Sequence, residues 1–287
     1  MTTETAAQAA DDLLREVLDR QDGAPDRLRE LLRGAVRHLH AYVREVGLTP
    51  EEWTAGIRFL TSTGQISDDV RQEFILLSDT LGVSSLVESL DNAAAAGATE
   101  NTVLGPFYVP GSPPRDHGSS MLVDDDSGDR VVVRGTVTDV DGRPLTATLD
   151  VWQNASSGFY ACQQPGRQHE ANLRGVYRTR TDGTYELRTV RPTPYSIPAD
   201  GPVGAMLRAA GRQQMRPGHV HLMVSAPGHR TLITHVFDAA SDHLDDDAVF
   251  GVRHSLVRSF EPDETGELAA TFDVTLVPSH EPRQRTG

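Results

Sequence analysis

The spacing of apolar residues changes near residue 100, and this change constrains the fold more than any other feature of the sequence. Before it, apolar residues recur every three or four positions, as at Leu28, Leu31 and Leu32, which is the spacing of amphipathic helices. From about residue 129 they recur at every second position, as at Val131 and Val133, which is the period of a β-strand. Helices followed by strands, rather than alternating with them, predict an α+β protein.

Five helices are expected in the first hundred residues. The clearest start is Thr49-Pro50-Glu51-Glu52, which combines an N-cap residue, a proline in the first turn and acidic side chains at the positive end of a helix. The predicted helices span residues 7–21, 25–46, 50–62, 68–80 and 82–93.

The second half of the chain predicts many short strands joined by tight turns. Asp141-Gly142 lies between two alternating stretches and Asp182-Gly183 between two more, which is the pattern of β-hairpins. Such strands are expected to form an antiparallel β-sandwich. The sequence thus predicts a helical unit over residues 1–100, a connector over 101–128, a β-sandwich over 129–280 and a frayed polar tail over 281–287.

Composition excludes several classes of function. The chain has 27 basic and 41 acidic side chains and a net charge of −14, which disfavours binding to nucleic acids or to anionic lipid surfaces. No stretch approaches the roughly 20 apolar residues of a membrane span, and the first residues lack the features of a secretory signal. The single cysteine, Cys162, cannot form an internal disulfide. We therefore expect a cytoplasmic protein.

His219 and His221 are the sharpest candidates for chemistry. On a strand, side chains two positions apart point to the same face, so both imidazoles can bind one metal ion; two histidines on a solvent face would have the same spacing. His38 and His40 share the spacing but lie on a predicted helix, where such residues diverge, so we place them on the surface. A zinc hydrolase is disfavoured because no H-E-x-x-H motif and no third imidazole at useful spacing occurs. The nearby acidic residues are expected to be solvated: Asp242, Asp245, Asp246 and Asp247.

Two of the six tyrosines, Tyr160 and Tyr195, are candidates to complete a metal site. Tyr160 follows a turn of small residues after a predicted strand, and Tyr195 lies in a rigid loop among three prolines. Taken alone, each is more typical of a packing residue. A phenolate is a hard oxygen ligand suited to a trivalent metal, so two phenolates with two imidazoles would favour Fe(III) over Zn(II).

The sequence resembles the intradiol ring-cleavage dioxygenases from about residue 10 to 277. Five blocks carry the resemblance: LGPFY (104–108), DVWQNASSGFY (150–160), RPTPYSIPADGPVG (191–204), RPGHVHLMVSAPGHRTLITH (216–235) and SDHLDDDAVFGV (241–252). It implies a non-haem Fe(III) cofactor whose ligands are Tyr160, Tyr195, His219 and His221. It also implies that Tyr195 acts as a base toward the substrate and that Arg216 stabilises negative charge during the reaction.

Within this family, the blocks PTPYSIPADGPVG and LDDDAVFGV most resemble the hydroxyquinol 1,2-dioxygenases. That resemblance implies cleavage of hydroxyquinol (benzene-1,2,4-triol) by O2 to maleylacetate (3-hydroxy-cis,cis-muconate). Catechol and chlorocatechols are the alternative substrates, and a non-catalytic β-sandwich binding module is the alternative function. The implied substrate pocket consists of Leu76, Asp79, Val103, Leu104, Gly105, Pro106, Tyr108, Ile197, Pro198, Arg216, His235 and Val249.

Three of these positions bear on specificity and packing. The Asp79 carboxylate could accept a hydrogen bond from the third hydroxyl, which catechol lacks; as a solvated helix residue it would have no such role. His235 stands where the catechol branch has glutamine, which favours the hydroxyquinol branch. Gly218 stands where the family usually has alanine, and we expect it to loosen the loop before His219.

The helical unit resembles the dimerisation region of the family. The resemblance implies a homodimer, and family members often hold a phospholipid at that interface. The sequence itself shows only apolar helix faces, such as the one that carries Leu28, Leu31 and Leu32.

Overall fold

The structure is a computed structural model, and it describes residues 3–68, 71–92 and 97–279. The helices in these ranges are α1 (Thr3–Asp19), α2 (Asp26–Val46), α3 (Pro50–Ile66), α4 (Glu73–Thr80), α5 (Val83–Asn92) and α6 (Pro202–Ala209). The strands are β1 (Arg130–Asp139), β2 (Thr148–Trp152), β3 (Arg174–Arg178), β4 (Thr184–Val190), β5 (Tyr195–Ser196), β6 (Met215–Arg216), β7 (His219–Ser225), β8 (Leu232–Asp238), β9 (Val257–Arg258), β10 (Glu261–Pro262), β11 (Leu268–Thr271) and β12 (Val274–Leu276). The polar tail predicted over 281–287 lies outside the described residues.

Five of the helices form near the positions that the sequence predicts, with different bounds. Helix α1 lies nearer the N-terminus than the predicted 7–21, and α3 continues past residue 62 to Ile66. Helix α4 begins at Glu73 rather than near residue 68; ahead of it, Asp68 Oδ1 accepts the Arg71 N–H at 2.7 Å, a side-chain bond that competes with helical pairing. Helix α6 was not expected. Its signal was Pro202 at the first helical position after Gly201, inside a loop that prolines made look irregular.

The chain divides into two compact units, Met1–Ser62 and Thr63–Gly287. In the first unit α1 and α2 are joined by an ion pair between Arg44 and Asp11 (2.7 Å), and Leu18 is buried. Helix α2 buries none of its side chains. No helix in the described part of the chain is both long and apolar enough to cross a membrane.

The second unit contains a β-sandwich. One sheet has the order β10-β11-β1-β12 with β4 also paired to β1, and the other has the order β3-β2-β7-β8-β9. The core between them includes the fully buried Val133 and Leu187 from one sheet and Leu222 and Val236 from the other. The sheets are mixed rather than purely antiparallel, because β1 pairs in parallel with β11 and β12. Those strands return after a long stretch of chain, which permits the crossover that parallel pairing needs.

The two predicted hairpins are corners between the sheets. Gly142 and Gly183 adopt positive φ angles of 80° and 81°, as tight Asp-Gly turns require. However, β1 pairs with β4 and β2 pairs with β3, so each turn links strands of different sheets. The turns were therefore predicted correctly, and Thr138 bridges Pro144 in antiparallel fashion across Asp141-Gly142. The pairing of the main strands was predicted wrongly, since an Asp-Gly turn specifies only a local reversal and the core determines the partner of each strand.

Candidate metal centre

His219 and His221 lie side by side at the start of β7, the central strand of its sheet, and both rings are buried. Their Nε2 atoms are 3.1 Å apart. The Nδ1 atom of His219 lies 2.7 Å from the Pro217 carbonyl oxygen, so Nδ1 carries the proton and donates it, and Nε2 presents a lone pair. The two imidazoles thus face one point.

Tyr160 and Tyr195 bring their rings to the same place. Tyr160 precedes the short 3₁₀ turn Ala161–Gln163, and its hydroxyl lies 2.9 Å from Nε2 of His221. Tyr195 lies in β5, and its ring meets that of Tyr160 edge-on with centroids 5.3 Å apart. All four predicted metal ligands therefore converge in one buried cluster.

The backbone at Gly218, immediately before His219, is tightly packed. A Cβ atom added to Gly218 would lie 2.4 Å from the Pro192 carbonyl oxygen. The expectation that this glycine loosens the loop is therefore wrong, because its missing side chain is what lets the loop that carries Tyr195 approach the start of β7 so closely.

Burial favours the uncharged forms of His219, His221 and Tyr160 unless a cation is present. It lowers the pKa of His219 and of His221 well below the ordinary value, and the Arg216 charge adds to the effect. It raises the pKa of Tyr160 well above the ordinary value, and Tyr195 adds to that rise. Neutral imidazole is the form that binds metals, and a buried phenol ionises only when a nearby cation compensates its charge. This donor set of imidazole nitrogens and hard oxygens fits a ferric ion.

A third imidazole joins the cluster. The β7–β8 register places His235 opposite His221, and its ring stacks on that of His219 with centroids 4.4 Å apart. The candidate ligand atoms of the three histidines lie within 4.8 Å of one another, so the cluster could hold a metal ion. The expectation that no third imidazole lies at useful spacing is therefore wrong. Cross-strand register, which sequence spacing does not display, brings His235 there.

Arg216 lies beside the tyrosines and is buried together with Asp247. Its NH1 lies 3.3 Å from the Tyr195 hydroxyl oxygen, and its Nε donates to Asp247 Oδ1 at 3.1 Å. Asp242, Asp245 and Asp246 are exposed as expected, but the same expectation is wrong for Asp247. A buried guanidinium needs a counterion, and Asp247 supplies it.

A cavity of about 470 Å³ adjoins the cluster. Phe107 lines it and stacks on the Tyr160 ring with centroids 4.6 Å apart. The volume of the cavity falls within the ordinary range of small-molecule sites, roughly 300–1,000 Å³. Four predicted pocket residues line it: Leu76, Pro106, Ile197 and Pro198.

The other predicted pocket residues lie outside this lining. Leu104 and Tyr108 pack against the aromatic cluster, and the Tyr108 hydroxyl donates to Asp150 at 3.1 Å. Gly105 has a φ of 74°, and a Cβ atom there would lie 3.5 Å from His221 Cε1. Three more are buried: Asp79, Val103 and Val249.

Sequence reasoning did not single out two aromatic residues of the site, Phe107 and Trp152. The ring of Trp152 stacks on that of His221 with centroids 4.6 Å apart and an angle of 14° between the planes. The β2–β7 register places these two residues opposite each other. The available signals were the position of Phe107 between two predicted pocket residues and that of Trp152 at the end of an apolar strand.

Known proteins are similar in sequence to this chain over most of its length. The family described as Dioxygenase matches residues 103–278, and the one described as Catechol dioxygenase N terminus matches residues 25–99. The 6-chlorohydroxyquinol 1,2-dioxygenase of Cupriavidus pinatubonensis is 45% identical over 93% of this chain and 97% of its own. The hydroxyquinol 1,2-dioxygenase of Nocardioides simplex is 46% identical over 93% of this chain and 95% of its own.

Solved structures agree as well. Hydroxyquinol 1,2-dioxygenase from Pseudomonas putida DLL-E4 superposes with a TM-score of 0.88 at 44% identity, covering 95% of this chain and 100% of that one. Catechol 1,2-dioxygenase from Acinetobacter radioresistens superposes with a TM-score of 0.82 at 29% identity, covering 98% and 96%. Since family, relatives and fold agree over nearly the whole length, this chain belongs to the intradiol ring-cleavage dioxygenase family.

Proposed function

We propose that this protein cleaves hydroxyquinol between its adjacent hydroxylated carbons with O2, to give maleylacetate (3-hydroxy-cis,cis-muconate). The observation that carries the proposal is the convergence of two tyrosines and two histidines beside a cavity of suitable size. The relatives from Cupriavidus pinatubonensis and Nocardioides simplex, named for chlorohydroxyquinol and hydroxyquinol, support this substrate.

The proposed cofactor is Fe(III). When bound, it would supply a Lewis acid that binds the diol and makes its ring reactive toward O2. Two phenolates would offset most of its charge, so that the buried centre stays close to neutral. The residues that would hold it are Tyr160, Tyr195, His219 and His221.

Tyr195 and Arg216 are the residues proposed to act on the substrate. A diol must lose protons to bind a metal ion as a dianion, and the phenolate oxygen of Tyr195 would accept one of them. The Arg216 guanidinium lies 3.3 Å from that oxygen, so its permanent charge is placed where negative charge develops.

Asp79 is proposed to select the third hydroxyl of hydroxyquinol. It follows Leu76 by three residues on α4, so both side chains lie on one face of the helix, and Leu76 lines the cavity. Asp79 is only 2% exposed, and catechol would leave its buried carboxylate without the hydroxyl partner, which is unfavourable. Catechol and chlorocatechols are the second candidates, since the catechol 1,2-dioxygenase of Candida albicans is 41% identical over 83% of this chain.

The proposed assembly is a homodimer formed through the helical unit of residues 1–100. Leu31, Leu39 and Val46 of α2 are each more than half exposed, and such a face is unfavourable in water unless another surface covers it. The family resemblance makes a second copy of this chain the proposed cover, with a phospholipid at the interface. The cytoplasmic location expected from the sequence stays a prediction.

Oxygen uptake by the iron-replete protein tests the proposed function. We expect one O2 consumed per hydroxyquinol, a ring-opened dicarboxylate detected by mass spectrometry, and lower kcat/KM with catechol and 4-chlorocatechol. A faster rate with catechol would assign the protein to the second candidate. No uptake with any of the three would favour a non-catalytic binding module.

A further inference from the structure

Asp247 makes a two-point contact with Arg216 in the interior. Its Oδ1 accepts a hydrogen bond from Arg216 Nε at 3.1 Å, and its Oδ2 accepts one from NH2 at 3.4 Å, so the contact is bidentate. Each side chain is 2% exposed. Backbone N–H groups hold the other side of the carboxylate, that of Gly251 at 2.9 Å from Oδ2 and that of Val249 at 3.3 Å from Oδ1. Asp247 is thus fixed independently of Arg216.

The loop around Asp247 leaves the ion pair little space to rearrange. A Cβ atom at Gly251 would lie 2.8 Å from Arg216 NH2 and 3.1 Å from Asp247 Oδ2. Phe250 adopts a φ of 56°, which is strained for a residue with a side chain. The Thr102 hydroxyl donates to the Gly251 carbonyl oxygen at 2.8 Å and helps to hold this loop in place.

The two-point contact determines where the remaining guanidinium nitrogen points. With Nε and NH2 directed at Asp247, NH1 lies 3.3 Å from the Tyr195 hydroxyl oxygen. The pairing of β5 with β6 holds the backbones of Tyr195 and Arg216 in register. Burial alone would lower the pKa of Arg216, but the Asp247 carboxylate and the Tyr195 oxygen raise it above its ordinary value, so the group stays charged.

We propose that Asp247 is a positioning residue that holds Arg216 against Tyr195. It acts through the arginine and does not itself touch the substrate. This inference rests on the proposed function and adds to it a residue outside the metal ligands and the cavity lining.

Substitution in two backgrounds tests the inference. We expect Asp247→Asn to lower kcat/KM for hydroxyquinol by about 10²-fold, mostly in kcat, because a displaced catalytic group has effects of that size. Asp245→Asn, an exposed position in the same loop, is the matched control and should leave the rate unchanged. In the Arg216→Ala background, Asp247→Asn should change kcat/KM less than about threefold, because the group through which it acts is gone. An equal loss in both backgrounds would indicate a general structural role and overturn the inference.

Chemical rescue gives a second readout, which stands even if Asp247→Asn fails to fold. The Arg216→Ala protein leaves the Asp247 carboxylate facing a space shaped for a guanidinium. Added guanidinium should restore part of the activity, and ethylammonium, which cannot make a two-point contact, should restore much less. Equal rescue by both cations, or rescue by neither, would overturn the inference.

The wild-type protein separates this inference from the proposed function. If the iron-replete wild type consumes no O2 with hydroxyquinol, the proposed function fails. If the wild type is active and Asp247→Asn matches it, only the positioning role fails.

Discussion

Single residues of the centre are held uncharged by their surroundings, and this determines what a metal ion must do on binding. Burial raises the pKa of Tyr160 well above its ordinary value, and Tyr195 adds to the rise. The phenol therefore keeps its proton at neutral pH until a cation arrives. Metal binding to such a site must release protons.

Proton release is a direct prediction of this arrangement. Loading the iron-free protein with Fe(III) in a weakly buffered solution should release protons from the ligand phenols, and Tyr160→Phe should release one fewer per iron. The measurement is the absorbance change of a pH indicator against iron added. Equal release by the two proteins would mean that Tyr160 does not ionise on the metal.

Asp79 offers a test of substrate selection. Asp79→Leu removes the proposed acceptor of the third hydroxyl, so the ratio of kcat/KM for hydroxyquinol to that for catechol should fall by about tenfold or more, since hydrogen bonds to charged groups contribute about 1.5–3 kcal/mol. The ratio is measured within one protein and is insensitive to any loss of active material. An unchanged ratio would remove Asp79 from the specificity determinants.

The same residue predicts a dependence of stability on pH. Burial raises the pKa of Asp79 in the folded protein, so the folded state binds this proton more tightly than the unfolded state. The contribution of Asp79 to the free energy of unfolding must then fall as the pH rises from about 4, the unfolded value, through the folded value. The denaturant midpoint of Asp79→Asn minus that of the wild type should therefore increase as the pH is raised from about 4 to about 8. A constant difference would show that the carboxyl is not destabilised by burial.

The elements that deliver the ligands meet at a close backbone contact. Gly218 precedes β7, and the Pro192 carbonyl precedes β5, so their contact brings the histidine strand and the Tyr195 loop together. Strand β7 in turn lies between β2 and β8, which place Trp152 and His235 opposite His221. The site thus depends on register across three strands.

Gly218→Ala tests this contact. The added methyl group would meet backbone at 2.4 Å, which cannot move as a flexible side chain would. We expect a loss of about 1–3 kcal/mol in the free energy of unfolding and a lower iron content. Gly56→Ala, in α3 with nothing within 4 Å of the added atom, is the control and should stabilise the protein by up to about 1 kcal/mol. If both variants behave alike, the contact does not position the site.

At the level of elements, local sequence patterns predicted where strands and turns lie better than which strands pair with each other. The Asp-Gly turns at Asp141 and Asp182 form, yet they connect different sheets, because the partner of each strand depends on the core that forms across the sandwich. His219 and His221 could be predicted because both lie on one strand. His235 and Asp247 could not, since a cross-strand register brings in one and a folded loop buries the other.

At the level of the whole molecule, the change of hydrophobic period correctly predicted helices followed by a β-sandwich. The acidic composition and the ligand set indicated a metalloprotein rather than a nucleic-acid binder. Specificity was harder to predict from the sequence, because the residue proposed to determine it, Asp79, is a buried carboxylate, and a sequence does not reveal burial. For the oligomeric state, the residues themselves offer one indication, which is the exposed apolar face of α2.

Assembly gives the prediction at this scale. Leu39 of α2 is 63% exposed, and Leu39→Glu should weaken the proposed homodimer by about tenfold or more in its dissociation constant, because burying a charge in an apolar interface is unfavourable. Sedimentation over a concentration series measures this. Val140→Glu changes an exposed apolar residue in a sheet-corner turn and should leave the mass unchanged. A wild-type protein that is monomeric throughout would refute the dimer.

The visible absorption spectrum of the iron-replete protein, recorded before and after hydroxyquinol is added without oxygen, tests the central claim most directly. Phenolates of Tyr160 and Tyr195 bound to Fe(III) should give a wine-red charge-transfer band that changes when the substrate chelates, and Tyr160→Phe should lose most of the resting band. A protein that contains stoichiometric iron but is colourless, or whose spectrum ignores the substrate, would contradict the proposed centre.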